Sequence, residues 1–149
     1  MKKSHRGWGW LLVLLAGSVC GAAAENFYCR YCGIRRSSVQ SLTAGFCSRH
    51  PIGPGKGRHE LYQGSEKPRY FCEFCGMRRA DIASLTAGFC PRHPSGSNKG
   101  RHSPYQGSEK AQYSCKFCGL KRADIASLTA GFCPRHPSGS NKGRHEPAL

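Results

Sequence analysis

The sequence predicts three small α+β modules in tandem, each a short β-hairpin or knuckle followed by a short helix. Two observations carry that prediction. A set of three cysteines and a histidine returns every 43 residues: Cys29, Cys32, Cys47 and His50, then Cys72, Cys75, Cys90 and His93, then Cys115, Cys118, Cys133 and His136. A period of that length fixes the architecture before any local reading. Each unit also spans only about 30 ordered residues, too few to offset chain entropy by apolar burial without a metal or disulfides.

The repeat sets the domain boundaries: residues 25–62, 63–105 and 106–149, behind an N-terminal segment of residues 1–24. Residues 80–102 recur unchanged as residues 123–145, whereas the first copy reads "SSVQSLTAGFCSRHP" where the second reads "ADIASLTAGFCPRHP". The first copy is therefore the independent observation. All three share C-x2-C-G, S-L-T-A-G-F-C-x-R-H-P and K-G-R-H.

The N-terminal segment has the pattern of a secretory signal peptide. Lys2, Lys3 and Arg6 precede a short apolar run from Trp8 to Val19, and Ala22-Ala23-Ala24 supplies a small-residue cleavage site before Glu25. The run is short for a spanning helix. The expected location is secreted or periplasmic after cleavage near Ala24, or membrane-anchored if the segment stays in place.

An exported cysteine-rich chain is ordinarily a disulfide framework. Here Cys20 leaves with the signal, and the nine cysteines that remain fall three to a copy, a number that cannot pair internally. Three thiolates completed by one imidazole form a closed tetrahedral set suited to structural zinc, giving three ions, one per module. Disulfides with a leftover thiol, or an iron–sulfur cluster, are the competing readings.

Each element follows from local chemistry. In C-x2-C-G a tight turn brings two thiolates to one ion, and the glycine supplies a positive φ. The segment "ADIASLTAG" predicts a short helix with Asp81 (Ser38 in the first copy) as N-cap, Ile82 and Leu85 on one face and Gly88 at its end. Phe89 is expected to cover the metal. Cys90-Pro91-Arg92-His93 then returns as the second ligand pair, with the prolines favouring a rigid turn. The histidine of K-G-R-H (His59, His102, His145) competes with His50, His93 and His136 for the fourth position. The loop "PSGSNKGRH" offers backbone amides, Lys99 and Arg101 to an anion, or is simply a solvated connection. Tyr62 and Tyr105 are expected to pack, Tyr62 together with Leu61.

"YFCEFCG", with Leu85 ten residues after the second cysteine, resembles the two-cysteine, two-histidine zinc finger, and "GSEKPRYFC" resembles the linker that joins such fingers. The likeness covers about 30 residues of each copy. It implies a fold related to the ββα finger or a two-knuckle zinc ribbon, with Cys72 and Cys75 carried over as ligands. Cys90 and His93 match the family only in role: Cys90 replaces a histidine, the pair lies two residues further on after Gly88, and Arg79 stands where the family has an apolar residue.

Base reading is not implied. The helix positions that would face DNA are Asp81, Ala83, Ser84 and Ala87, and Ser38, Gln40, Ser41 and Ala44 in the first copy. Direct readout draws on long Arg, Lys, Asn or Gln side chains, of which only Gln40 is present. Catalysis is not expected either, because the donor set is closed and no carboxylate recurs in all three copies. The net charge of +15 falls to about +12 without the signal and about +9 with three zinc ions bound by nine thiolates. That balance attracts polyanions. The expected role is a non-catalytic binding module for a protein or polyanionic surface. Intracellular nucleic-acid binding and metal buffering in the envelope are the alternatives.

Overall fold

The computed structural model describes residues 25–149; the predicted signal segment lies outside the described residues. The first module runs β1 (Phe27–Tyr28), β2 (Arg35–Arg36), α1 (Val39–Thr43), β3 (Phe46–Cys47) and β4 (Gly57–Arg58). The second holds β5 (Tyr70–Phe71), β6 (Arg78–Arg79) and α2 (Ile82–Ala87), and the third β7 (Tyr113–Ser114), β8 (Lys121–Arg122) and α3 (Ile125–Leu128). Each module is thus an antiparallel hairpin, as in Tyr28↔Arg35 and Phe71↔Arg78, followed by a short helix. A second hairpin closes it. In the first module that hairpin is β3 with β4, and in the others it shrinks to the bridges Phe89↔Arg101 and Phe132↔Arg144.

The glycine of C-x2-C-G does what its chemistry predicts. Gly33, Gly76 and Gly119 have φ of 73°, 73° and 75°, in the left-handed region that favours glycine. That turn lets the Gly33 amide donate to Cys29 O at 2.8 Å. The helices start as predicted. Ser84 N donates to the Asp81 carboxylate at 2.7 Å, Ser127 N to Asp124 at 2.7 Å, and Ser41 N to Ser38 Oγ at 3.1 Å. Helices of 4 to 6 residues do not persist by propensity, so packing holds them. Gly88 ends α2 in extended rather than left-handed backbone, at φ −91°.

No helix among the described residues is long and apolar enough to cross a membrane. Within the second module, Tyr70, Cys72, Ile82, Leu85 and Cys90 form a core cluster, and Tyr62 of the first module belongs to it. Likewise Tyr105 enters the cluster of Tyr113, Cys115, Ile125, Leu128 and Cys133. The expected pairing of Tyr62 with Leu61 is corrected: Leu61 packs on the first module's cluster, and Tyr62 packs on the next. Its backbone explains the split. Tyr62 N donates to Tyr28 O at 2.8 Å within the first module, while alternation turns the ring to the other side, edge-on to Tyr70 at 5.6 Å.

Further contacts tie the modules head to tail. Arg49 Nη1 donates to Ala83 O at 2.6 Å and Thr86 Oγ1 at 3.1 Å, and Arg92 repeats this on Ala126 O at 2.7 Å and Thr129 Oγ1 at 3.1 Å. Each arginine therefore reaches the helix of the following module. The metal-side turn packs there too: a Cβ on Gly33 would lie 2.8 Å from Ala83 Cα, and one on Gly76 2.7 Å from Ala126 Cα.

Candidate metal centre

Two hairpin turns and the helix between them gather the donors. Cys29 and Cys32 sit in the first turn and Cys47 on β3, while β4 leads into His59. In each module four residues bring one ligand atom apiece to within 4.8 Å of one another: Cys29, Cys32, Cys47 and His59; Cys72, Cys75, Cys90 and His102; Cys115, Cys118, Cys133 and His145. All nine cysteines among the described residues are free thiols. The three clusters agree closely. Cys29 and Cys47 Sγ are 3.9 Å apart, as are the pairs Cys72–Cys90 and Cys115–Cys133, far beyond a disulfide bond. Cys32 Sγ to His59 Nδ1 is 3.4 Å, repeated at Cys75–His102 and Cys118–His145.

The donors fit a tetrahedral ion. Metal–sulfur bonds of about 2.3 Å and metal–nitrogen bonds of about 2.05 Å imply sulfur–sulfur edges of about 3.8 Å and sulfur–nitrogen edges of about 3.6 Å. The observed edges of 3.9 Å and 3.4 Å bracket those values. Nδ1 faces the sulfurs in every copy.

Backbone amides donate to the sulfurs, while burial keeps most of the thiols protonated. Tyr31 N–H donates to Cys29 Sγ and Arg49 N–H to Cys47 Sγ, both at 3.4 Å. Burial pushes the Cys47 thiol up to about 12, and pushes Cys133 to about 11. In the second module, hydrogen bonds with Cys75 and Cys90 push Cys72 up, while hydrogen bonds from Cys72 and Cys90 hold Cys75 down at about 2. In the second module one sulfur holds the charge while its two neighbours stay protonated, and a divalent ion among them would allow all three to ionise. Burial, with Arg36 as a lesser cause, holds His59 below its ordinary value, which favours the neutral ring a metal needs. The first and third cysteines of each set and all three of these histidines are buried, so the sites are closed.

The nine cysteines lie where the spacing placed them, but the histidines do not. His50, His93 and His136 stand outside the three clusters, and His59, His102 and His145 take the fourth position. The C-x2-H turn is tight, with His93 N donating to Cys90 O at 3.3 Å, and it aims the ring away from the sulfurs. His93 Nδ1 instead accepts from Ser95 N at 3.2 Å, and its ring packs edge-on to Phe74 at 5.1 Å. Gly100 lies against that ring so closely that a Cβ would collide with it. His50 and His136 repeat the arrangement on Tyr31 and Phe117, with Ile52 N and Ser138 N as donors. The second hairpin selects His102 by laying Gly100 O against Cys90 N at 2.7 Å and His102 N against Gly88 O at 3.3 Å. K-G-R-H marked this histidine as a competitor, but its direction comes from the pairing of the second hairpin, which sends the arginine out and the histidine in.

Phe89 does not cover the metal. It is 56% exposed and stacks under Arg101, whose guanidinium carbon lies 5.0 Å from the ring centre. Phe46 with Arg58 and Phe132 with Arg144 repeat the pair at 4.9 Å. Arg101 Nη1 also donates to Ala87 O at 2.5 Å, closing the helix end, so this arginine is committed to packing rather than held out to an anion. Gly55 (φ 70°), Asn98 (56°) and Asn141 (57°) occupy one left-handed position in the second-hairpin loop, where the first copy uses glycine and the others asparagine.

No protein family matches the chain, and no curated protein or solved structure matches it either.

Proposed function

We propose that the protein is an exported, zinc-structured repeat array that binds a polyanionic surface and performs no catalysis. The modules hold zinc as a fold-forming element, which the closed Cys3His donor sets support. The observation that carries the binding role is the exposed second strand of each hairpin. Arg35, Arg36, Arg78, Arg79, Lys121 and Arg122 are all exposed, and no ion pair engages them among the described residues. These six solvated cations return with the repeat, one pair per module, as a recurring series of positive charge. Contacts between successive modules order these cations, which lowers the entropic cost of presenting them to a polyanion.

The test pairs composition with binding. Native mass spectrometry of the purified chain is expected to show three zinc ions and the new N-terminus near Glu25. Affinity for a sulfated polysaccharide is expected to fall steeply with salt and to drop further when Arg35, Arg36, Arg78 and Arg79 become alanine. Binding indifferent to those four changes would refute the binding role of these cations. A reporter fused to residues 1–30 that stays inside the cell would refute export and favour the nucleic-acid alternative.

A further inference from the structure

The joint between modules has two halves. The giving half is a C-x2-C-G turn, the arginine of C-x-R-H and the tyrosine that follows the last ligand. The receiving half is a helix start with isoleucine and alanine, plus a threonine one turn on. Gly33, Arg49 and Tyr62 meet Ile82, Ala83 and Thr86, and Gly76, Arg92 and Tyr105 meet Ile125, Ala126 and Thr129.

Among the described residues nothing covers the receiving half of the first module or the giving half of the third. A Cβ on Gly119 would meet nothing within 4 Å, and Arg135 is exposed where Arg49 and Arg92 are half-buried. Thr43 is half-buried where Thr86 and Thr129 are fully buried. Such a pair invites one copy to continue another. A joint between unlike faces repeats head to tail, adding copies until it closes into a ring or growing as an open filament.

The residues at these faces differ from the internal joints where contact is closest. Val39 replaces isoleucine, Gln40 replaces alanine, and Ala148 stands where Tyr62 and Tyr105 supply the ring. The alanine matters most sterically. Gly33 and Gly76 come so near Ala83 and Ala126 that even a Cβ on the glycine has no room. Glutamine places four more heavy atoms beyond its Cβ, three of them a polar amide, at the seam, and burying that amide without a partner is costly. The internal joints tolerate none of this bulk, and the end that would receive a second copy carries it.

We propose that the first module is a stop for self-assembly: its face fits the third module of a second copy in outline, and Gln40 blocks the fit. Repeat arrays need terminal units whose outer face does not propagate the stack. This inference does not depend on the polyanion reading.

The experiment measures mass against concentration by sedimentation, using the chain as the cell leaves it and checking three metals per chain in each variant. The unaltered protein is expected to stay monomeric. The variant Val39→Ile/Gln40→Ala/Ala148→Tyr is expected to gain mass with concentration, and adding Arg135→Ala is expected to reverse the gain. The variant Val39→Ile/Ala148→Tyr, which keeps Gln40, is expected to remain a monomer. Head-to-tail growth of the unaltered protein overturns the proposal, as does a metal-loaded triple variant that stays monomeric, or growth of the variant that keeps Gln40. Should the triple variant not fold, Ala83→Gln decides: it is expected to open the joint between the first two modules, seen as faster amide exchange on both sides of it. An undisturbed joint in that variant also overturns the proposal.

Discussion

The first module and the second hold the same four donors at the same distances, yet their helices live in different surroundings. Ile82 is 2% exposed in a core cluster that Tyr62 of the preceding module joins, whereas Val39 at the equivalent place is 39% exposed. The second module's core is therefore partly borrowed and the first module's is not. The first module compensates little by packing, since its buried cluster comprises Cys29, Leu42 and Cys47, two of them ligands. What this teaches is that units with matching donor sets differ in how much of their core a neighbour supplies.

Removing the metal is the largest perturbation and should erase the difference. Structural zinc in small modules contributes about 10–16 kcal/mol of apparent binding energy at neutral pH, which is also folding energy. A strong chelator under reducing conditions is expected to abolish the circular dichroism of all three modules together; a retained spectrum in metal-free protein would contradict the donor assignment. Acid should do the same, because protons compete for nine thiolates and three imidazoles. Metal content and circular dichroism should fall together as acid displaces the ion, and ordered structure that outlasts the metal would contradict the coupling.

Choosing between the histidines comes next in size. His102→Ala is expected to reduce the metal content from three ions to two and to unfold the second module, whereas His93→Ala should keep all three. Metal analysis of the two variants decides it, and the opposite pattern would restore His93 as a ligand. The borrowed core is tested by Tyr62→Ala, expected to destabilise the second module by about 3–5 kcal/mol, as for a large buried aromatic, while barely touching the first. In the same comparison Ile82→Ala should cost about 2–4 kcal/mol and Val39→Ala well under about 1. Module-resolved hydrogen exchange reads both, and equal losses would show that the cores are independent. The smallest effect is at the caps: Asp81→Ala and Ser38→Ala should each cost about 1 kcal/mol, alike in both modules, because the capping bond is local.

The sequence by itself determined the three units, the sulfur ligands, the left-handed glycine turns and the helix caps. All of these are set within a few residues by spacing, steric allowance and hydrogen-bonding groups carried on the chain. Tertiary structure alone decided which histidine completes each site, because His93 and His102 are both near Cys90 in sequence and only the second hairpin's return brings one ring back to the sulfurs. It also decided that Tyr62 serves the next module and that Phe89 lies outside under an arginine. Each of those outcomes depends on which way a side chain faces once two distant strands have paired, and no local spacing encodes that direction.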